Sequence, residues 1–373
     1  MLIIDGSIGE GGGQVLRTSL SLAAILGYPL RVERIRAGRS RPGLAPQHLA
    51  AIRALEQICG AAVAGASIGS PALEFRPAHF PRPGDYRLDI SRLTGQSSAG
   101  AVSLIFQCLL PPLSLAPGPS NVALGGGTHV TWSPSTQYLE EVYLPSLGPM
   151  GLKVDSHLAA AGFYPRGGGA FHAAVQPAAC LPMPPLRLTR RGPLQAIHIL
   201  VLTAHLPTHV GRRMAATAAR LLNAEGLPAA PIILERPSSG PGAALLLVAE
   251  YAHARAGFGA LGTRGRPAEA VAAEACHALL EHHATEAAVD PHLADQLLLP
   301  AALAGGVSTY TVSRITGHLL TNADIIRRGL QATVTVDGRK GQPGTVTVAG
   351  YGLAGGRSWP NRAASAPPGG GSE

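Results

Sequence analysis

Leu2-Ile3-Ile4-Asp5-Gly6-Ser7-Ile8-Gly9-Glu10-Gly11-Gly12-Gly13-Gln14-Val15-Leu16-Arg17 reads as a strand, a glycine turn and the first turns of a helix. The apolar triplet Leu2–Ile4 is the strand, and Gly13–Leu26 is an amphipathic helix that stops at Gly27. Working outward, Leu30–Ile35 is a second strand and Pro46–Ile58 a second helix ending at Gly60. Leu73–Arg76 closes the unit, and Ala62–Ala66 supplies one more strand. The order is β-α-β-α-β-β, an α/β (α+β) unit.

The same order recurs. After the breaker Pro81-Arg82-Pro83-Gly84, strand Tyr86–Ile90, helix Ala99–Leu110, strand Asn121–Leu124 and helix Pro134–Leu147 follow, closed by the alternating pair Leu152–His157 and Ala170–Val175. A third copy shows helix His292–Leu303, strand Ser308–Val312, helix Leu320–Leu330 and a hairpin of Ala332–Val336 with Thr345–Val348 across Asp337-Gly338. Between copies two and three the character changes. Ala196–Leu202, Arg212–Asn223, Ile232–Glu235, Ala244–Glu250 and Ala268–His283 spell β-α-β-β-α, an insert that can fold alone. The expected organisation is therefore core 1–183, insert 184–283, core 284–354 and a disordered Gly/Pro/Ser-rich tail 355–373.

Composition bounds the partners. At 373 residues the chain holds about two to four structural units. Apolar runs such as Ala243–Ala249 are too short to span a bilayer. Asp5 and Glu10 interrupt the first apolar stretch, so it does not read as a secretory signal. Cys59, Cys108, Cys180 and Cys276 form no CxxC pair, against zinc ribbons and disulfide scaffolds, and a cytoplasmic location is expected. Net charge is +8 and the pI about 9.7, which fits an anionic partner and equally a genome rich in arginine codons. Lys153 and Lys340 are the only lysines. Nearly every cation is thus a guanidinium, suited to phosphate recognition and unable to act as a nucleophile.

Three stretches carry chemistry. Glu10-Gly11-Gly12-Gly13-Gln14 lets backbone approach a phosphate at a helix N-terminus, with Arg17 one turn further in. Its spacing is neither a P-loop nor GxGxxG, and a glycine turn with a salt-bridged arginine fits it too. Arg36-Ala37-Gly38-Arg39-Ser40-Arg41-Pro42-Gly43-Leu44 sets three arginines within six residues. It leads into a helix through Gln47 and His48, both able to donate to phosphate or ribose oxygens. The bland alternative is a solvated charge run. Finally, Thr316-Gly317-His318-Leu319-Leu320-Thr321-Asn322 puts a histidine at the turn into a helix, where it is either structural or a nucleophile beside a phosphate pocket. No KxDG-type lysine competes: Lys153 precedes Val154-Asp155-Ser156, and Lys340 precedes Gly341-Gln342-Pro343. Asp295-Gln296 on the preceding helix offers a carboxylate to orient the histidine or hold a metal. It also suits an ordinary helix start.

Together with Gly126-Gly127-Thr128, Gly162-Phe163-Tyr164-Pro165-Arg166-Gly167-Gly168-Gly169 and Leu293-Ala294-Asp295-Gln296, these stretches resemble the RNA 3′-terminal phosphate cyclase family over nearly the whole chain. The resemblance implies three repeats like the C-terminal domain of translation initiation factor three, plus a small thioredoxin-like insert. It implies ATP-dependent conversion of an RNA 3′-phosphate to a 2′,3′-cyclic phosphodiester, with a divalent metal (Mg²⁺ or Mn²⁺), through AMP carried on His318 and then on the RNA. On that resemblance Glu10 is the metal ligand. Arg17, Arg36, Arg39, Arg41, Gln47 and His48 hold phosphates or the RNA end. Gln107, His292, Leu293, Ala294, Asp295 and Gln296 bind ATP, and Pro134 and Phe258 pack against adenine. It implies no membrane partner and leaves a homodimer open.

This chain departs from the family pattern at His292, where Tyr is common, at Ser97-Ser98-Ala99-Gly100-Ala101, and at Gln137, where an acid is common. These departures bear on nucleotide preference. Rivals are a cyclase-like ribosome-assembly protein, an enolpyruvyl transferase of similar repeats, and a plain basic RNA-binding protein. His318 with the arginine loop separates the chain from the first, and the scarcity of lysine from the second.

Overall fold

The computed structural model describes residues 1–95, 98–330 and 332–353. The expected tail from residue 355 and Ser97 of the serine motif lie outside the described residues.

The first sheet holds β1 (Leu2–Asp5), β2 (Leu30–Glu33), β3 (Ala62–Ala64) and β4 (Leu73–Arg76) in the order β1-β2-β4-β3. β1 and β2 are parallel, with Leu2 opposite Leu30, and β4 is antiparallel to both its neighbours. The second sheet, β5 (Asp85–Asp89), β6 (Ser120–Gly126), β7 (Val154–Ala160) and β8 (Gly169–Val175), repeats that order as β5-β6-β8-β7, again with only the first pair parallel.

Next comes β9 (Arg187–Leu188). Its two residues pair in parallel with Thr309 and Tyr310 of a later strand, so this part of the expected segment 184–283 is hydrogen-bonded into a different sheet from the rest of it. A two-residue strand shows no alternation to read. A further sheet is β10 (Leu194–Ala204), β11 (Ala230–Glu235), β12 (Gly242–Tyr251) and β13 (Arg255–Leu261), ordered β11-β10-β12-β13. β13 is absent from the sequence reading because Arg-Ala-Gly-Phe-Gly-Ala-Leu has no β-branched residue and two glycines. The last sheet unites β9 with β14 (Val307–Val312), β15 (Thr333–Asp337) and β16 (Gly344–Ala349), ordered β15-β16-β14-β9. Read from β9, three of the four sheets share one order and one set of strand directions.

One buried cluster runs through these three sheets and their helices, from Ile4 and Phe75 through Phe106 and Phe171 to Tyr310 and Val348. The β10–β13 sheet and the helices packed on it have a separate core built on Ile199, Val201, Leu247, Val271 and Leu279. Their links to the rest include Ala161 N–H donating to Pro237 O at 2.7 Å and Gly257 N–H donating to Asp290 Oδ2 at 3.2 Å.

Proline decides where two expected helices break. Pro145 has no N–H for Glu141, and the Pro134–Leu147 helix instead starts at Thr136 and widens into a π turn over Leu139–Tyr143, with Leu144 N–H reaching Leu139 O. Pro300 likewise cannot reach Gln296, and His292–Leu303 is two pieces, Leu293–Gln296 and Leu298–Leu303. Among the described residues no helix is long and apolar enough to cross a membrane.

Candidate active site

Four helices of 13 or 14 residues begin at one place: Gly13–Leu26, Pro46–Cys59, Val102–Ser114 and Gly317–Gly329. Gly13 has no room for a Cβ, which would collide with His48 Nε2 on the second helix. Gln47 Oε1, also on the second helix, accepts the N–H of Ala101 just ahead of the third, at 3.1 Å. Gly317 of the fourth packs directly on the Glu10 carboxylate, and Glu10 N–H donates to Thr321 Oγ1 at 3.2 Å. Each N-terminus carries unsatisfied N–H groups and the positive end of a macrodipole, so their convergence makes a site for an anion.

The arginines follow suit. Arg36 donates to Gly43 O at 2.9 Å and Arg39 to Glu10 O at 2.9 Å. Among the described residues neither they nor Arg17 nor Arg41 pairs with a carboxylate, whereas Arg31, Arg53, Arg213, Arg255, Arg266 and Arg328 all do. The salt-bridged arginine that the Glu10 turn allowed is therefore not found. Arg17 and Arg36 are partly buried, and that burial lowers both guanidinium pKa values. Arg39 and Arg41 are exposed on the loop.

His48 is 2 % exposed. Its Nδ1 accepts the N–H of Ala45 at 3.0 Å, which assigns the proton to Nε2. That Nε2 is buried without a partner among the described residues. Burial, with Arg17 and Arg36 nearby, holds the ring neutral, its pKa pushed down to about 3.

His318 stands at the second position of its helix, whose start Thr316 caps by accepting Leu319 N–H at 3.1 Å. Its Nδ1 lies 2.7 Å from Glu10 Oε2. Glu10, not Asp295, is thus the carboxylate that orients the imidazole. The side chain is 49 % exposed, open to a ligand. Desolvation lowers its pKa, Glu10 opposes this, and His292, Arg17 and Arg39 lower it further. The net lowering favours the neutral ring. With Nδ1–H donated to Glu10, the free lone pair sits on Nε2.

Beside this centre lies a polar chain. Gln14 Nε2 donates to Asp295 Oδ2 at 2.6 Å, Asn322 Nδ2 to Asp295 O at 2.7 Å, and Thr18 to Asn322 at 2.8 Å. Burial raises the Asp295 pKa to about 7 against the pull of Gln14 and Arg17. Gln107 Nε2 donates to Gln296 Oε1 at 2.5 Å, and Pro134 O accepts Ser103 Oγ at 2.7 Å one turn earlier on the same helix. His292 is exposed near His318. Leu293 and Ala294 have side chains fully inside the core, and their backbone groups bond Asp290, Leu297 N–H and Tyr310 Oη, so they hold the stretch in place. Phe258 is not gathered here: its ring lies in the core of the β10–β13 sheet, 5.3 Å from that of His282.

Asp290 was overlooked in the sequence. Fully buried, it accepts from His292 N–H and Leu293 N–H at 2.9 Å each and from Tyr138 Oη at 2.9 Å. Asp-Pro ahead of an apolar run is a helix-start signal that would have found it. Gln137, where the family commonly carries an acid, is buried and faces His129 Nε2 at 3.2 Å.

Comparison with known proteins gives the family. The family model described as RNA 3′-terminal phosphate cyclase matches residues 8–336. A relative from Methylococcus capsulatus is 49 % identical over 338 residues, 90 % of this chain and 93 % of that one. One from Trichormus variabilis is 48 % identical over 337 residues, 90 % and 96 % of the two chains. One from Staphylothermus marinus is 39 % identical over 360 residues, 94 % and 98 %. All three are named RNA 3′-terminal phosphate cyclase. The solved enolpyruvyl transferase NikO from Streptomyces tendae aligns with TM-score 0.27 and 18 % identity, over 48 % of this chain and 33 % of that one, too little to bear on the reading. A match from Ile8 to Val336 takes in the Glu10 turn, the arginine loop and His318 together, and the chain belongs to the RNA 3′-terminal phosphate cyclase family.

Proposed function

We propose that the protein converts an RNA 3′-terminal phosphate to a 2′,3′-cyclic phosphodiester, with ATP as co-substrate and His318 as the nucleophile. The observation that carries this is the 2.7 Å contact of His318 Nδ1 with Glu10 Oε2, set among four helix N-termini and four arginines without carboxylate partners among the described residues. Nε2 attacks the α-phosphorus of ATP, an N–P bond forms, and pyrophosphate leaves. The ring is then cationic, and Glu10 stabilises it by a charge-assisted hydrogen bond. An oxygen of the RNA 3′-phosphate next takes the AMP, breaking the N–P bond and returning the electron pair to the imidazole. The vicinal 2′-hydroxyl attacks the 3′-phosphorus, losing its proton, and AMP departs. Ring closure thereby proceeds with a good leaving group instead of a poor one.

Arg17, Arg36, Arg39, Arg41, Gln47 and His48 hold the phosphate charge in this scheme, and a bound oxygen satisfies the stranded His48 Nε2–H. Gln107, Gln296, Asp295, His292 and Pro134 line the nucleotide side, and Leu293 and Ala294 anchor that stretch in the core. Glu10 is the carboxylate at the convergence, and no set of three or more His, Cys, Asp or Glu among the described residues forms a dedicated cage. That donor set fits a hard divalent ion held by one carboxylate, water and substrate phosphates. Such an ion would supply neutralisation of phosphate charge there.

For the architecture, we read the three like-ordered sheets as copies of a unit resembling the C-terminal domain of translation initiation factor three. The β10–β13 sheet with its two helices is read as a thioredoxin-like insert that begins after β9. A short RNA bearing a 3′-phosphate, incubated with ATP and Mg²⁺ or Mn²⁺, is expected to acquire a phosphatase-resistant end. An end that stays phosphatase-sensitive while ATP is consumed rejects the reading.

A further inference from the structure

Two large aromatic side chains stand in solvent with no packing to explain them. Trp132 is 98 % exposed and Tyr164 79 %. Trp132 also holds φ at +65°, a backbone region that bulky residues rarely occupy. An indole left in water on a strained backbone contributes nothing to the core, and such strain gathers at sites of function.

The two rings sit on adjoining loops. Thr128 and His129 donate N–H to Gly162 O at 2.9 and 3.1 Å, and the rings of His129 and Phe163 lie 5.5 Å apart. Both loops border the phosphate pocket. Val102 N–H donates to Gly127 O at 2.9 Å, and Ser98 pairs with Gly167. The segment Ser98–Ala101 between them is the one whose Ala101 N–H meets Gln47. Arg166, exposed two residues past Tyr164, spends one N–H on Ser239 O at 3.0 Å and has no carboxylate partner among the described residues.

We propose that Trp132 and Tyr164 form a stacking platform for the unpaired bases just upstream of the RNA 3′-phosphate, with Arg166 beside them for a backbone phosphate. The inference rests on the pocket being an RNA 3′-phosphate site. Aromatic faces accept any base, and guanidinium supplies the charge that tracks the backbone. The substrate is then a single-stranded 3′ end of several nucleotides, because a base inside a duplex cannot open onto the rings.

The test measures binding of an octanucleotide with a 3′-phosphate, and of the same oligonucleotide with a 3′-hydroxyl, without ATP. Trp132→Ala and Tyr164→Ala are each expected to weaken binding roughly tenfold for both oligonucleotides. Trp132→Phe and Tyr164→Phe should stay within about twofold of wild type, and thermal melting of each variant reports its folding. Trp132 and Trp359 are the only tryptophans, so in a Trp359→Phe background emission comes from Trp132 alone, and stacking should quench it. Unchanged affinity in both alanine variants, with no quenching, overturns the platform. So does a finding that the alanine variants lose only self-association, which assigns the rings to a protein interface. A wild-type chain indifferent to the terminal phosphate overturns instead the pocket reading beneath the proposal.

Discussion

Gly13→Ala is the smallest change that should disable the site. A Cβ there collides with His48 Nε2, and its next neighbours are Arg17 Nη1 at 2.9 Å and His48 Cδ2 at 3.0 Å. Carbon contacts are comfortable at about 3.5–4.0 Å, so the ring must retreat by more than about 1 Å and the guanidinium by roughly half as much. His48 has little freedom to do so, being 2 % exposed and tied through Nδ1 to Ala45. Overpacking of this kind costs about 1–3 kcal/mol of stability, and a 1 Å displacement of binding groups costs on the order of 10²-fold in rate. The expected result is a fall of about 10²-fold in kcat/KM for a 3′-phosphorylated oligonucleotide, with the chain still folded in urea titration. Gly38→Ala is the matched control, since a Cβ there meets nothing within 4 Å. It sits between Arg36 and Arg39 and should stay within about twofold of wild type. A Gly13→Ala enzyme as fast as wild type would refute the claim that His48 and Arg17 are held in place against that glycine.

Other perturbations reach neighbouring parts. Burial holds the Asp295 pKa near 7 in the folded chain, above its ordinary 3.8. The folded state therefore binds the extra proton across that window, and stability falls as pH rises through it. Asp295→Asn should accordingly gain stability over wild type at pH 8 by a few kcal/mol at most and match it at pH 4, read by urea unfolding at both. An equal difference at the two pH values contradicts the assignment. Thr316→Ala removes the cap of the His318 helix and should cost about 1 kcal/mol, with slower labelling of the protein by ATP. Tyr138→Phe strips one donor from the buried Asp290 and should lower unfolding free energy by about 1–3 kcal/mol. A loss below 0.5 kcal/mol (~0.5 on the scale of ordinary surface changes) is the contrary result.

Much of the frame was legible because it is local. Gly27 and Gly60 stop the first two helices with left-handed backbone, as terminal glycines should, and the alternation of Ala170–Val175 appears as β8. What escaped is either too short or too plain to carry a pattern, as with Arg187–Leu188 and the glycine-interrupted β13. Prolines 145 and 300 act on helical register one turn earlier, and the periodicity of apolar residues is blind to that. The site divides the same way. Glu10, Arg17, the arginine loop and His318 each stood out by residue type, but their meeting is a matter of tertiary contact. Glu10 and His318 come from opposite ends of the chain, so spacing could not say that Glu10, not Asp295, takes the imidazole. Phe258 shows the opposite case: a position matched to the family in the sequence, whose ring here packs into the core of the β10–β13 sheet.

Incubation with ATP labelled at the α-phosphate, in the presence of Mg²⁺ or Mn²⁺, tests the central claim directly. Acid-labile, alkali-stable label is expected on the protein, located on His318 by peptide mapping and missing from His318→Ala. Label that persists in His318→Ala, or that maps to another residue, contradicts the account.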